Sequence, residues 1–211
     1  MKSATDFFST EEKERIEAAV KAAEAKTSGE IVPMVVSSSH EYPRADLIGG
    51  GTLALAVGLI CSWAFGGESI WWFLPIFIVG FFIFQQVIRN LPDFKRKLIH
   101  PDELTAEVKE KAMVSFLEHE LHETRDRTGI LILISLFEHR VQVLADSGIN
   151  AKVPEHTWEE IVDIIIKGLK TGDACTATCQ AIERCGELLQ EHFPRKHDDT
   201  DELQNLVVEK S

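Results

Sequence analysis

The sequence lacks the features on which several large classes of protein depend. Acidic side chains outnumber basic ones, 34 to 22, which gives a formal net charge of −12. Because binding to nucleic-acid phosphates needs a basic surface, this balance argues against a nucleic-acid partner. Cysteine is also scarce, with four residues in the chain, and the spacing of Cys175, Cys179 and Cys185 matches no zinc pattern. We expect these three to be small, buried or half-buried helix residues in a reducing compartment.

Motifs of the common catalytic sites are also missing. Ser135 is the lone hydroxyl in a predicted central strand, and no nucleophile-elbow glycines surround it. The glycines at 49–51 lack the lysine of a phosphate-binding loop. His119 and His122 are one residue short of the metalloprotease spacing. We therefore interpret these two histidines as part of the exposed polar face of a helix rather than as zinc ligands.

Long uncharged runs, by contrast, are present twice. Residues 47–65 and 70–88 each contain nineteen positions without a charged side chain, and four residues separate them. A helix of about 20 apolar residues crosses the ~30 Å hydrocarbon core of a bilayer. Helices in the core of a soluble protein seldom contain two uncharged runs of this length. The sequence therefore predicts two transmembrane helices that form a hairpin, with the lipid bilayer as a partner.

Basic residues near the ends of these runs predict their orientation. The connecting segment 66–69 contains no lysine or arginine, whereas the opposite ends are rich in both: Arg44, Arg89, Lys95, Arg96 and Lys97. The positive-inside rule then places both termini and the soluble domain in the cytoplasm of a two-pass cell-membrane protein. Residues 94–98 combine basic and apolar side chains, so we expect them to lie at the membrane surface.

The remaining pattern predicts one α/β domain that the hairpin interrupts. Apolar runs indicate strands at residues 30–37, 129–136 and 141–145, and helices precede and follow them. A helix is also expected from Pro101 to about Thr124. The first two strands should be parallel and the third antiparallel to the second. We expect a small mixed-sheet sandwich with helices on both faces.

The chain is thus predicted to contain three kinds of segment. Residues 1–46 and 91–194 together form the discontinuous α/β domain, and the two apolar runs form the membrane insertion. Residues 195–211 are rich in acidic side chains and are predicted to be a disordered tail. Pro33 lies within the first strand, where it indicates an edge position or a bulge.

Several stretches resemble the TPM-domain family. The first is Thr27-Ser28-Gly29-Glu30-Ile31-Val32, and a stronger one runs from Arg127 through Gly129, Ser135 and Arg140 to Ile149. The later positions Trp158, Gly172 and Phe193-Pro194 also fit, so the resemblance covers most of residues 7–194. The chain looks like the bacterial branch in which a two-helix membrane insertion splits the domain after its first strand.

The resemblance implies an α/β sandwich with membrane or envelope association. Members of the family are linked to photosystem repair, to receptor accessory roles and, in some cases, to phosphatase activity with a divalent metal. Many members present the domain outside the cytoplasm. The charge pattern of this chain favours the opposite side, so extracytoplasmic roles do not carry over.

Three acidic residues are predicted to meet at one edge of the sheet. Glu30 begins the first strand, Asp126 precedes the second, and Asp146 ends the third. Together their carboxylates could bind calcium or magnesium, which prefer oxygen ligands, and so support phosphoester hydrolysis. In the alternative interpretation, each is a solvated strand-end acid that Arg125 and Arg127 screen.

Two functions of different classes remain. The first is a non-enzymatic, membrane-anchored module that binds a membrane-protein partner during assembly or maintenance. The alternative is a divalent-metal-dependent phosphatase-type hydrolase that uses the acidic edge. The sequence contains no complete catalytic constellation, which favours the first. A converging pocket of carboxylates would favour the second, and scattered acids the first.

Overall fold

The computed structural model describes residues 3–66, 70–154, 156–195 and 203–209. The chain divides into two compact units. The helical unit comprises His40–Leu104, and the α/β unit comprises the described residues of Lys2–Ser39 and Thr105–Ser211. The α/β unit is therefore built from two segments of sequence, on either side of the helical unit.

The described residues form these helices and strands. A short 3-10 helix, Ala4–Asp6, precedes the first α-helix. The α-helices are α1 Thr10–Glu24, α2 Pro43–Cys61, α3 Ile70–Arg89, α4 Pro92–Lys97, α5 Pro101–Glu118, α6 Ser147–Asn150, α7 Thr157–Thr171 and α8 Ala174–His192. A π-helical turn, Ser62–Gly66, extends α2. The strands are β1 Glu30–Val36, β2 Gly129–Ser135, β3 Arg140–Ala145 and β4 Val207–Glu209.

Small residues let α2 and α3 of the helical unit approach closely. A methyl group added at Gly50 would lie 2.8 Å from the backbone nitrogen of Gln85, and one at Gly58 would lie 3.1 Å from the Phe73 ring. Both helices are long and apolar enough to cross a membrane: Pro43–Ala64 has a mean hydropathy of 1.8, and Ile70–Arg89 has 1.9. The hairpin turn at residues 67–69 lies outside the described residues.

The other end of the helical unit is closed by an ion pair. Lys95 of α4 donates from Nζ to Asp46 Oδ2 at 2.9 Å and to the Glu41 carbonyl at 2.6 Å. Both charged side chains are largely buried. Leu98 adds an apolar contact, because its Cδ1 atom lies 2.7 Å from where a methyl group on Gly49 would be. These contacts fix α4 against the first turns of α2.

The α/β unit is built on a four-stranded sheet of order β3-β2-β1-β4. β1 and β2 are parallel in the register Glu30↔Gly129, and β2 and β3 are antiparallel. Alternate residues of the strands face two separate cores. Ile31, Val35 and Ile130 pack with α1, α7 and α8, whereas Val32 and Met34 pack with α5. The predicted mixed sheet with helices on both faces is confirmed.

A fourth strand corrects the prediction for the tail. Val207–Glu209 forms β4, which pairs parallel with Met34–Val36 of β1, so this part of the predicted disordered segment 195–211 is ordered. Val207 is buried in the core beside α5, and Glu209 forms a 2.6 Å ion pair with Lys111. An apolar anchor and an ion pair thus hold a three-residue strand. Residues 196–202 and 210–211 lie outside the described residues.

Pro33 occupies a position that tolerates the loss of a backbone donor. Glu30 donates its N–H to the Thr128 carbonyl and Val36 accepts from the Leu136 N–H, so even-numbered residues of β1 face β2. Alternation along the strand directs Pro33 toward the β4 side, where pairing begins only at Met34. On that same side, the Ile31 N–H donates to the Glu24 carboxylate. β1 is thus an internal strand with a partly unpaired edge.

α5 ends earlier than predicted, at Glu118. Glu120 adopts a left-handed conformation, with φ of 58°. Its N–H bonds to the Leu117 carbonyl, and the Leu121 N–H bonds to the Phe116 carbonyl. These bonds form a Schellman motif, which terminates a helix and buries the apolar residue that follows. The sequence signal failed here because a glutamate, not a glycine, takes the left-handed position.

The close contact between α7 and α8 depends on the absence of a side chain at Gly168. A methyl group there would lie 2.1 Å from the Ala177 Cβ and 2.9 Å from the Asp173 carbonyl oxygen. Helix propensity alone would make Gly168→Ala stabilising by up to ~1 kcal/mol, but overpacking costs about 1–3 kcal/mol. We expect a lower melting temperature, measured with a fluorogenic maleimide that reports exposure of the buried Cys175 and Cys185.

Lys167→Ala, at an exposed neighbouring position, is the control and should leave the melting temperature nearly unchanged. A higher melting temperature for Gly168→Ala would show that the two helices separate at no cost, contrary to the packing described.

Candidate functional site

The three acidic residues singled out in the sequence lie near the same end of the sheet. Glu30 begins β1 opposite Gly129. The Gly129 carbonyl accepts the Asp146 N–H at 2.9 Å. Asp126 lies just before β2, and its carbonyl oxygen is 2.9 Å from where a methyl group on Gly148 would be. The amino-terminal edge of the parallel pair therefore brings these segments together.

Their side chains have different surroundings. Asp146 caps α6: its Oδ1 accepts from the Ser147 N–H at 2.5 Å and from the Ser147 hydroxyl at 2.8 Å. Glu30 is buried, and Asp126 is half-buried. Within the described ranges, no three His, Cys, Asp or Glu residues are grouped so that they could hold a metal ion. The geometry gives no support to a three-carboxylate calcium or magnesium site, which stays a prediction.

The resemblance motifs meet at this same edge, where they join strands and helices. The Thr128 hydroxyl donates to the Ser28 carbonyl at 2.9 Å. The Thr27 hydroxyl donates to the Phe193 carbonyl at 2.6 Å, and the Ser28 N–H donates to that same carbonyl at 3.0 Å. A side chain at Gly29 would displace Leu189, whose Cδ1 lies 2.7 Å from where the Cβ would be. These hydrogen bonds fasten the starts of β1 and β2 to the end of α8.

A second polar cluster lies at the opposite end, where β1 and β2 finish. Glu138, in the β2–β3 turn, accepts the Ser39 N–H at 2.9 Å and the Ser38 hydroxyl at 3.2 Å. Its other oxygen accepts the Ser135 hydroxyl, and the Ser39 hydroxyl donates to Ser135 Oγ at 3.0 Å. We call these four residues the Ser135–Glu138 cluster. Sequence reasoning missed it because its members lie up to 100 positions apart.

This cluster has the groups of a nucleophile and a base, but it is closed to solvent. Ser135 is 1% exposed and Glu138 is 3% exposed. A substrate therefore has no access to the Ser135 hydroxyl. The carboxylate instead satisfies the donors of three residues around it, as buried polar groups require. The arrangement ties the chain that leaves β1 to the β2–β3 turn.

His119 and His122 follow α5 rather than lying on its face, so the helix-face interpretation is wrong for both. His119 lines a cavity of about 530 Å³ together with Glu118, Glu120 and Leu203. His122 Nε2 lies 3.6 Å from Glu123 Oε1. The absence of a metal-holding group in the described residues applies to this region as well.

The cysteines of α8 are held as protonated thiols. Cys175 and Cys185 are buried, and Cys179 is half-buried. Burial raises the pKa of Cys185 to about 12. Burial, followed by the neighbouring Cys175, raises the pKa of Cys179 to about 11. Since the thiolate is the nucleophilic form, these residues are unreactive at neutral pH and serve packing, as the sequence predicts.

Comparison with known proteins identifies the fold family. The family model for the TPM domain matches residues 92–188. This segment, just under half of the 211-residue chain, is similar to the TPM domain. No curated protein matches it. The matched range begins after α3, so it does not include the apolar hairpin or β1.

A solved structure extends the likeness to nearly the whole chain. The NMR structure of the BA42 protein from the psychrophilic bacterium Bizionia argentinensis aligns with a TM-score of 0.58 and 22% sequence identity. The alignment covers 95% of this chain and 94% of BA42. At this level of identity the likeness establishes a shared fold.

Two buried serines allow a direct test of the Ser135–Glu138 cluster. Ser135 is hydrogen-bonded to a carboxylate, whereas the equally buried Ser115 hydroxyl has no hydrogen-bond partner among the described residues. We expect Ser135→Ala to destabilise the α/β unit by about 1–3 kcal/mol, because it leaves a buried acceptor short of a donor. Ser115→Ala should be neutral or stabilising. Thermal melting followed by thiol labelling measures both.

Equal losses in the two variants would contradict this account, since only one of the two hydroxyls has a partner to lose.

Proposed function

We propose that this chain is a two-pass membrane protein. Its α2–α3 hairpin anchors the α/β unit at the cytoplasmic face of the cell membrane. There the unit binds a membrane-protein partner and assists its assembly or maintenance. This proposal assigns no catalytic step to the domain.

The outward surface of the hairpin is the observation that carries the proposal. None of the most apolar 18-residue stretch of α3 is buried. Large apolar side chains of both helices face outward: Ile48, Leu59, Ile60, Ile70, Val79, Phe82 and Ile83. Soluble monomers rarely expose contiguous apolar patches larger than a few hundred Å². A bilayer would cover this surface without any further protein.

Tryptophans near the hairpin turn support the same reading. Trp63 is 85% exposed and Trp71 is 81% exposed, with Trp72 beside them. Aromatic rings of this kind collect at the headgroup level of membranes. Their exposure is costly in water and is favourable at that interface.

The exposed cations support the proposed orientation. Arg44, Arg89 and Lys97 are exposed at the end of the hairpin opposite the turn, and Arg96 is half-exposed. Lys95 is neutralised by its buried pair with Asp46. The positive-inside rule counts lysines and arginines whether or not they are paired in the folded protein, so all five basic residues support a cytoplasmic placement of this end.

An apolar patch on α5 supports a binding role for the α/β unit. Met113, Val114 and Leu117 are between 41% and 51% exposed. They lie on the side of α5 away from Val108 and Ala112, which face the sheet. A surface of this kind, rimmed by charged helix residues, is typical of sites that bind another protein.

The test combines membrane extraction with residue-specific labelling. In a cysteine-free background, Lys170→Cys marks the exposed side of α7, and Glu68→Cys marks the segment between the two spans. We expect the protein to remain in the membrane after alkaline carbonate treatment. A membrane-impermeant thiol reagent should label Lys170→Cys only after lysis and Glu68→Cys in intact cells.

If carbonate treatment released the protein from the membrane, the proposed membrane anchor would be wrong. Labelling of Lys170→Cys in intact cells would retain the anchor but place the α/β unit outside the cytoplasm.

One observation favours the divalent-metal hydrolase as a second candidate. The Asp146 Oδ2 atom is buried and has no hydrogen-bond partner among the described residues, at the edge that Glu30 shares. If a calcium ion were bound there, titration calorimetry on the full chain in detergent would show binding heat, and Asp146→Asn would abolish it. Equal binding heats in the wild type and Asp146→Asn, or no heat in either, would contradict the divalent-metal hydrolase.

A further inference from the structure

We infer that the open end of the hairpin is a binding surface for anionic phospholipid headgroups. We call the four residues Arg44, Arg89, Arg96 and Lys97 the basic collar. The inference rests on the proposed membrane anchor, because it names the class of lipid that the anchored helices contact. It deepens that proposal by assigning particular side chains to lipid phosphates.

Two contacts fix the position of α4. Its Lys95 is fixed to Asp46 and the Glu41 carbonyl, and Leu98 packs over Gly49. Both contacts lie at the start of α2, where the apolar span Pro43–Ala64 begins. α4 is therefore held at the level where hydrocarbon gives way to headgroups.

The apolar side chains of α4 and its flanks agree with that level. Leu91, Phe94 and Leu98 recur at the spacing of one helix face and are 41–49% exposed. A short helix with one apolar face and basic residues on the other lies in the plane of the interface. Phe94 then reaches toward the acyl chains, while the cations remain among the headgroups.

The basic residues of α4 differ in their exposure and in their ion pairs. Among the three consecutive basic residues of α4, Lys95 is buried in its ion pair and is unavailable to lipid. Lys97 is exposed. Arg96 is half-exposed and lies 3.4 Å from Asp93, which is itself 84% exposed. A surface pair of this kind is weak, and a guanidinium can donate two hydrogen bonds to a phosphate.

Charge complementarity selects an anionic lipid over a zwitterionic one. The collar supplies four cations, while the acidic side chains of α4 and of the segment before α2 that remain exposed are Glu41 and Asp93. The whole chain has a net charge of −12, so nonspecific attraction to an anionic bilayer would be unfavourable. A preference for anionic lipid must therefore come from a local surface.

The experiment measures the lipids that the full-length protein retains. Proteoliposomes of equimolar phosphatidylglycerol and phosphatidylcholine are solubilised in mild detergent, and the lipids that copurify are quantified by mass spectrometry. We expect the wild type to be enriched in phosphatidylglycerol. Arg96→Gln/Lys97→Gln should lower that enrichment by roughly fivefold or more, given the strength of basic residues near anionic surfaces.

Lys167→Gln/Lys170→Gln is the matched control, since it removes the same charge from the exposed side of α7 and should retain full enrichment. Arg44→Gln/Arg89→Gln tests the other half of the collar and should also lose enrichment, so the inference does not depend on the folding of one variant. Melting by thiol labelling checks that all variants fold.

No enrichment in the wild type, or equal losses in the collar and control variants, would overturn the inference. Carbonate extraction of the same preparations separates this failure from that of the membrane anchor. A protein that resists extraction but shows no lipid preference retains the anchor and loses the headgroup site.

Discussion

The outward apolar surface of α2 and α3 is the constraint on which the other features of the helical unit depend. Their backbone polar groups bond within each helix, and glycines allow the helices to approach until backbone meets backbone at Gly50 and Gln85. The large side chains are left to face the surroundings. Under the proposed membrane anchoring, the chain at the open end has to leave hydrocarbon at a defined level. The Lys95–Asp46 ion pair and the turn into α4 fit that need.

Hydrogen bonds at both ends of the β1–β2 pair stabilise the α/β unit. At the amino end, Thr27 and Ser28 donate to the Phe193 carbonyl that follows α8, and Thr128 donates to the Ser28 carbonyl. At the carboxyl end, Glu138 accepts the N–H of Ser39, in the segment that follows β1. The motif residues that resemble the TPM-domain family thus include several whose role is structural. This explains why strong sequence motifs coexist with a lack of converging catalytic groups in the described residues.

The sequence was most informative where a pattern is local. Alternating or continuous β-branched runs located β1, β2 and β3, and two charge-free runs located α2 and α3. β4 escaped notice because the apolar run Leu206-Val207-Val208 is too short to show a period, and its strand form depends on Val207 entering a core built elsewhere. The end of α5 was missed because Glu120 takes a conformation that favours glycine.

The candidate sites show the same limit. That Glu30, Asp126 and Asp146 approach one edge followed from topology alone. The direction of each side chain did not, because Asp146 is turned toward the first residues of α6. The Ser135–Glu138 cluster and the Lys95–Asp46 pair join residues that are far apart in sequence, so no spacing rule could find them.

The distance between β1 and β2 along the chain has a consequence for biosynthesis. Each residue of β1 pairs with one 99 positions later, as in Glu30 with Gly129. At typical elongation rates this separation is about 5–20 seconds of translation. The hairpin leaves the ribosome within that interval, while β1 has no partner. Under the proposed membrane anchoring, delivery to the membrane would precede closure of the sheet, and a chain that stalled during delivery would leave its central β-strand exposed to chaperones and proteases.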